Sequence, residues 1–92
     1  MFVIVAYDVT ANSRRNKVAK VLKDYGERVN LSVFECDIKK PEALEKMKAK
    51  IQAIIKPKKD HIRYYTLCAE CRAKTTVQGR GVVREPEPVK FA

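Results

Sequence analysis

The N-terminal stretch Met1-Phe-Val-Ile-Val-Ala-Tyr-Asp8 is an apolar run that ends on a carboxylate. Its short length, its β-branched residues and the polar turn that follows predict a strand buried on both faces, not a helix. Asp8 is therefore delivered to a fixed place at the exit of the strand, and we take it as the first candidate for chemistry. The two faces of the strand carry Phe2, Ile4 and Ala6, and Val3, Val5 and Tyr7.

Length and charge narrow the classes of protein and partner. The chain has 92 residues, and its 20 Lys and Arg against 11 Asp and Glu give a formal net charge of +9. We expect a single domain over 1–92, small enough that a partner subunit would help to stabilise it. The charge favours a polyanionic partner, with nucleic acid first. The opening run is too short for a signal core or a membrane span, so we expect no membrane association and a cytoplasmic protein.

Two amphipathic helices are predicted. The first follows Asp8 and ends near Gly26, with Asn12 or Ser13 as its N-cap. The second begins at Pro41, a residue suited to the first helical turn, and stops before Pro57. The 56–60 loop behind it is interpreted first as a solvated connector and second as an extra phosphate contact. The apolar stripes of the two helices are Val18, Val21, Leu22 and Tyr25, and Leu44, Met47, Ile51, Ile54 and Ile55.

Further strands are predicted at 28–37, at 61–68 and at 75–78, with another short one at 82–83. Four main strands and two helices are the content of an α+β protein with the ferredoxin-like βαββαβ arrangement and a four-stranded antiparallel sheet. The 82–92 segment is a proline-containing tail with a short C-terminal strand, which we expect to run along an edge or across a partner subunit.

A symmetric homodimer follows from the apolar first strand. Two helices cover only one face of the sheet, so we expect the other face to pack against the same face of a second copy. Two Asp8 carboxylates would then face each other, an arrangement that favours a bound Mg²⁺ or Mn²⁺ able to polarise a phosphodiester and activate water. The alternative, in which Asp8 closes an Asx-type turn with the backbone N–H groups of Val9 to Asn12, stays equally open.

The first helix has a strongly basic face. Arg14 and Arg15 fall in its first turn, where the helix dipole makes cations unfavourable, which suggests an external anion. A solvated basic face is the alternative interpretation. The basic residues of the helix are Arg14, Arg15, Lys17, Lys20 and Lys23.

The cysteines give no strong metal pattern. Cys36, Cys68 and Cys71 are an odd number, which fits reduced thiols. Completing a zinc site on Cys68 and Cys71 would need Cys36 and the single histidine, His61, to converge.

Several motifs together resemble the second CRISPR-associated adaptation protein family, a family of small ferredoxin-like dimers with nuclease and integrase-scaffold roles. They extend over about two thirds of the chain in the order of the family. The motifs are Tyr7-Asp8-Val9, Arg14-Arg15-x-Lys17-Val18, Tyr25-Gly26-x-Arg28-Val29-x-x-Ser32-Val33-Phe34-Glu35 and Asp60-x-Ile62-Arg63-x-Tyr65-x-Leu67.

The resemblance implies roles for particular residues. It makes Asp8 the metal-binding and catalytic aspartate, Arg15 and Arg28 phosphate contacts, and Phe34 an aromatic residue of the active cleft. Lys17 stands where some members carry arginine, which keeps the charge but loses the bidentate fork. With Arg14, these residues form the expected nucleic-acid-binding set. His61 begins a different strand, so no histidine is expected beside Asp8.

Two hypotheses follow. The first is a Mg²⁺-dependent endonuclease that cleaves single-stranded RNA or duplex DNA at the dimer cleft. The second is a non-catalytic scaffold that grips duplex DNA through its basic helices and docks the CRISPR-associated integrase through the 82–92 tail. A metabolite-binding regulatory domain of the same fold is a third alternative.

Overall fold

The computed structural model describes residues 1–79. Its elements are β1 (Phe2–Asp8), α1 (Asn12–Lys23), β2 (Gly26–Asn30), β3 (Val33–Asp37), α2 (Pro41–Gln52), β4 (His61–Leu67) and α3 (Ala69–Ala73). The four strands form one antiparallel sheet in the order β2-β3-β1-β4. This arrangement confirms the predicted α+β, ferredoxin-like βαββαβ fold.

The chain reaches this order by a different route from the predicted one. The 28–37 stretch, predicted as one strand, belongs to a hairpin of β2 and β3 that turns at Leu31 and Ser32. Its apolar alternation continues through the turn, where Leu31 is 81% exposed, so period-2 patterning hides the break. The predicted strand at 75–78 is wrong: these residues follow α3 without pairing in the sheet, because the hairpin already supplies the fourth strand. The predicted 82–83 strand and 82–92 tail lie outside the described residues.

The core lies between the sheet and α1 and α2. Val3, Val5 and Tyr7 of β1 are buried toward the helices, whereas Ile4 and Ala6 are only half-buried on the opposite, open face. This confirms that the helices cover one face of an apolar strand. The other buried members of this core include Val18, Leu22, Phe34, Cys36, Met47 and Ile51.

The helix ends differ in how well they were predicted. Pro41 opens α2 as expected, but the N-cap of α1 is Ala11, so neither Asn12 nor Ser13 caps it. Gly26 begins β2, and a Cβ added there would lie 2.0 Å from the backbone oxygen of Glu35. Glycine at this position therefore allows β2 to approach β3 closely.

The length and apolarity of the helices bear on membrane insertion. Within residues 1–79, every helix is too short or too polar to cross a bilayer.

Candidate functional site

A cleft of about 420 Å³ lies at the exit of β1, between the start of α1 and the β2–β3 turn. It brings together Asp8, Arg15 and Arg28, three of the six residues predicted for the site. The cleft forms here because β1 ends where the hairpin turns and where α1 begins. Its lining residues are Tyr7, Asp8, Val9, Arg15, Asn16, Arg28, Leu31 and Ser32.

Asp8 is exposed, and its carboxylate makes no hydrogen bond or ion pair with any residue from 1 to 79. The Asx-type turn weighed for it is therefore not formed. One of the backbone N–H groups that such a turn would use, that of Thr10, donates instead to Asp60 Oδ1 over 3.0 Å. The Asp8 carboxylate is thus available to an external ligand.

Arg15 and Arg28 are held in the cleft by neutral groups. Arg15 Nη1 donates to the carbonyl oxygen of Val9 over 2.8 Å, and its Nη2 donates to the Asn12 side chain. Neither arginine forms an ion pair with a carboxylate in the described part of the chain. The positive charges of both guanidinium groups are therefore not compensated by a carboxylate of the described residues, and each group has spare N–H donors for an anion.

The orientation of Arg28 depends on two aromatic residues. Its Nη2 lies 3.4 Å from the Tyr7 hydroxyl, and its guanidinium carbon lies 5.4 Å from the centroid of the Phe34 ring. Tyr7 in turn donates to the carbonyl oxygen of Leu31 over 3.1 Å. A cation–π contact and a hydrogen bond together restrict where the guanidinium can point.

The other three predicted residues lie outside the cleft lining. Phe34 is fully buried, and its contact with the cleft is the one with Arg28. Its expected role in nucleic-acid binding stays a prediction. Lys17 is exposed on α1 but does not line the cleft. Arg14 donates from Nε to Asp60 Oδ2 over 2.8 Å, and its side chain is 16% exposed. The positive charge of Arg14 is compensated by Asp60 inside the protein, so in this structure Arg14 is not free to contact an anion as Arg15 is.

Asp60 is the residue whose role the sequence analysis missed. The 56–60 loop was interpreted as a solvated connector, yet Asp60 is 4% exposed and accepts five hydrogen bonds. The donors are the backbone N–H and hydroxyl of Thr10, Nε and Nη2 of Arg14, and the backbone N–H of Lys56. The hydrogen bonds from Arg14 hold the pKa of Asp60 well below its usual range, although burial acts in the opposite direction.

The position of His61 also differs from the prediction. His61 lies directly opposite Asp8 in the antiparallel ladder of β1 and β4, so the two side chains share the open face of the sheet. Residues in such a pair have Cβ atoms about 5 Å apart. The expectation that no histidine accompanies Asp8 is therefore wrong. The pairing could not be found from local pattern, because it depends on the register of two strands that are far apart in the sequence.

One protomer offers only part of a metal site. Among residues 1–79, no group of three or more His, Cys, Asp and Glu side chains converges to hold an ion. Mg²⁺ is usually bound by one or two carboxylates, with water and phosphate as the remaining ligands. The exposed Asp8 carboxylate could serve as one such ligand, and the others would have to come from outside residues 1–79 of one protomer.

Comparisons with known proteins agree with the fold and the motifs. The family model described as CRISPR associated protein Cas2 matches residues 1–75. The CRISPR-associated endoribonuclease Cas2 1 of Chloroflexus aurantiacus is 43% identical over 82 residues, which cover 88% of this chain and 87% of that protein.

Two solved structures are also similar. A crystal structure of Streptococcus pyogenes Cas2 at pH 6.5 superposes with a TM-score of 0.77 and 37% identity, covering 86% of this chain and all of that one. A chain of a partial Cas6-RT-Cas1–Cas2 complex superposes with a TM-score of 0.73 and 30% identity, covering 83% of this chain and 88% of that one. The chain therefore belongs to the CRISPR associated protein Cas2 family.

Proposed function

We propose that the protein is a nucleic-acid-binding endonuclease of CRISPR adaptation, which hydrolyses phosphodiester bonds of RNA or DNA with the help of a divalent metal. The observation that carries this proposal is the exposed, unpaired Asp8 carboxylate in the same cleft as two uncompensated arginines, Arg15 and Arg28. A carboxylate beside phosphate-binding cations would repel the phosphate of the substrate unless a metal ion lay between the carboxylate and the phosphate. The endoribonuclease name of the Chloroflexus aurantiacus relative supports the same activity.

The residues of the cleft divide the work. Asp8 would hold Mg²⁺ or Mn²⁺, and the ion would supply polarisation of the scissile phosphodiester and activation of water. Arg15 and Arg28 would bind phosphate oxygens through their spare N–H donors. His61, opposite Asp8, is the nearest imidazole that could move a proton during the reaction.

A homodimer completes the proposed site. The open face of the sheet presents half-buried Ile4 and Ala6, together with Tyr65, which is 48% exposed. A second copy packed on this face would cover these apolar groups and bring a second Asp8 toward the first. Sedimentation at micromolar concentration is expected to give a dimer, and a stable monomer would contradict this part of the proposal.

The scaffold function is the second candidate. Its support is the similarity to a chain of the Cas6-RT-Cas1–Cas2 complex, together with three exposed lysines on α1 that lie outside the cleft lining. In this function the basic helices would hold duplex DNA, and the 82–92 tail would contact an integrase. The lysines are Lys17, Lys20 and Lys23.

One substitution, Asp8→Asn, distinguishes the endonuclease from the scaffold. Asp8→Asn keeps the shape of the side chain but removes its charge, so we expect Mg²⁺-dependent cleavage of single-stranded RNA or duplex DNA to fall at least about 100-fold. Binding of the same substrates should be retained. Asp24→Asn, the same change at an exposed residue outside the cleft lining, is the matched control and should cleave like the wild type.

The assay also has outcomes that contradict the nuclease. Equal cleavage by the wild type and Asp8→Asn, or activity that persists with a chelator, would remove Asp8 from catalysis. Retained duplex binding without any cleavage by the wild type would favour the scaffold. His61→Asn in the same assay is expected to lower the rate less than Asp8→Asn, because one proton-transfer group contributes less when water can replace it.

A further inference from the structure

A C-x-x-C segment at the start of α3 takes no part in the proposed function. Cys68 and Cys71 are both exposed free thiols, whereas Cys36 is buried in the core. The segment lies beyond the end of β4, at the opposite end of that strand from His61. Any chemistry of these thiols is therefore separate from the cleft.

The backbone holds the two cysteines at the spacing of a disulfide. Cys68 is the N-cap of α3, and its Sγ accepts a hydrogen bond from the backbone N–H of Cys71 over 3.3 Å. Ala69 and Glu70 between them are helical, which places the two Cα atoms about 5 Å apart. Disulfides form when this separation is about 4.4–6.8 Å, so closing the bond requires side-chain rotation and little backbone movement.

We propose that Cys68 and Cys71 form a reversible intramolecular disulfide by exchange with a low-molecular-weight disulfide, such as oxidised glutathione. Pairs of this kind in otherwise reduced proteins are usually transient and redox-sensing. Cys68 is the attacking thiol and Cys71 the resolving thiol.

The local hydrogen bonds assign these roles. The backbone N–H of Cys71 lowers the pKa of the Cys68 thiol, because it stabilises the thiolate. The hydrogen bond with Cys68 raises the pKa of Cys71. Since the thiolate is the nucleophile in exchange, Cys68 reacts first.

The reaction balances in two steps. The Cys68 thiolate attacks one sulfur of oxidised glutathione, forms a mixed disulfide and releases one glutathione thiolate, which takes up a proton. Cys71 then loses its proton and attacks Cys68 Sγ, which releases the second glutathione. The two cysteines are oxidised by two electrons, and one glutathione disulfide is reduced to two thiols.

A buried arginine keeps the pair in place. Arg72 is 8% exposed, with its guanidinium carbon 3.9 Å from the Phe2 ring centroid and Nη1 3.4 Å from Asp37 Oδ2. These contacts attach α3 to the start of β1 and to the end of β3. The helix that carries both thiols is therefore anchored, and the entropy lost on closing the disulfide is smaller than in a free peptide.

Mass spectrometry of the full chain tests the proposal. The reduced protein is incubated with mixtures of reduced and oxidised glutathione, quenched in acid and weighed intact. The wild type and the matched control Cys36→Ser should both lose two hydrogens and carry no glutathione. Cys71→Ser should accumulate glutathione on Cys68, and Cys68→Ser should react at least about tenfold more slowly.

Other results would overturn the proposal. These are stable glutathionylation of the wild type, a disulfide between two chains, equal rates for Cys68→Ser and Cys71→Ser, or retention of Zn²⁺ by the wild type that blocks exchange. The melting temperatures of Cys68→Ser and Cys71→Ser are measured alongside, and both should match the wild type because these two thiols are exposed. A variant whose melting temperature falls by several degrees would count against the assigned exposure and against the proposal.

Discussion

Asp8 and Asp60 are two aspartates at the same end of neighbouring strands, and their surroundings are opposite. Asp8 ends β1, and Asp60 directly precedes β4, whose first residue pairs with Asp8. Asp60 is buried and accepts five hydrogen bonds. Asp8 is exposed and has no hydrogen bond or ion pair within residues 1–79.

The difference shows that the hydrogen bonds of the buried Asp60 carboxylate fix the loop that follows Asp8, while the Asp8 carboxylate stays free of hydrogen bonds and ion pairs within residues 1–79. Asp60 ties Thr10 and Arg14 to the start of β4, which fixes the loop that leaves Asp8. The two adjacent arginines follow the same division. The charge of Arg14 is compensated by the paired carboxylate of Asp60, whereas Arg15 lies in the cleft with Asp8 and forms no ion pair with the described residues. The buried aspartate thus stabilises the place where the exposed one can act.

The largest effect on stability is expected at Asp60. Asp60→Asn leaves Arg14 without its carboxylate in a largely buried position, and breaking such a network is strongly destabilising. We expect the melting temperature to fall on the order of 10 °C. Asp8→Asn should change it by no more than about 2 °C, because an exposed side chain without partners contributes little. Thermal unfolding followed by circular dichroism measures both.

Asp24→Asn again provides the control, as an exposed aspartate at the end of α1. Equal melting temperatures for Asp60→Asn and Asp8→Asn would mean that the Asp60 network does not stabilise the fold. The comparison between the two aspartates would then have no energetic basis.

Acid unfolding sharpens the same comparison. The pKa of Asp60 is lower in the folded protein than the unfolded value of about 3.9, so its contribution is fully present above that value. It is lost as the pH falls below that value toward and through the folded-state pKa. Urea unfolding from neutral to acid pH should therefore show a loss of stability in the wild type that is smaller in Asp60→Asn. An equally steep loss in both would contradict the assignment.

Sequence patterns predicted the elements whose cause is local. β1 was found from its apolar run, α2 from Pro41 and its apolar stripe, and the fold class from the number of helices and strands. The hairpin was missed because alternation continued through Leu31, with no glycine or proline to mark the turn. Residues 75–78 were wrongly predicted as a strand, because β-forming residues alone do not provide a strand with which to pair.

The site was predicted in part for the same reason. Residues near the exit of β1 could be found from sequence, and the family motifs added Arg28. The hydrogen bonds of Asp60 with Thr10 and Arg14, and the position of His61 opposite Asp8 in the sheet, depend on β4 lying beside β1. Such pairs are set by tertiary register, so a single sequence contains no local signal for them.

Substitutions of Arg14 and Arg15 are expected to have the smallest effect, a change in nucleic-acid binding. They test most directly whether Asp60 holds its neighbouring arginine while the arginine beside Asp8 stays available. Arg15→Gln should weaken binding to duplex DNA or single-stranded RNA. It should also reduce the magnitude of the slope of log K against log salt concentration by about 1, the value for one lost phosphate contact. Arg14→Gln, measured at a temperature where it is folded, should lower stability but leave that slope unchanged, because Asp60 already neutralises Arg14. Lys74→Gln, which removes an exposed cation at the end of α3 and outside the cleft lining, is the control and should leave the slope unchanged. Equal slope changes for Arg14→Gln and Arg15→Gln would mean that nucleic acid recruits Arg14 away from Asp60, and the aspartate would then be part of the binding surface.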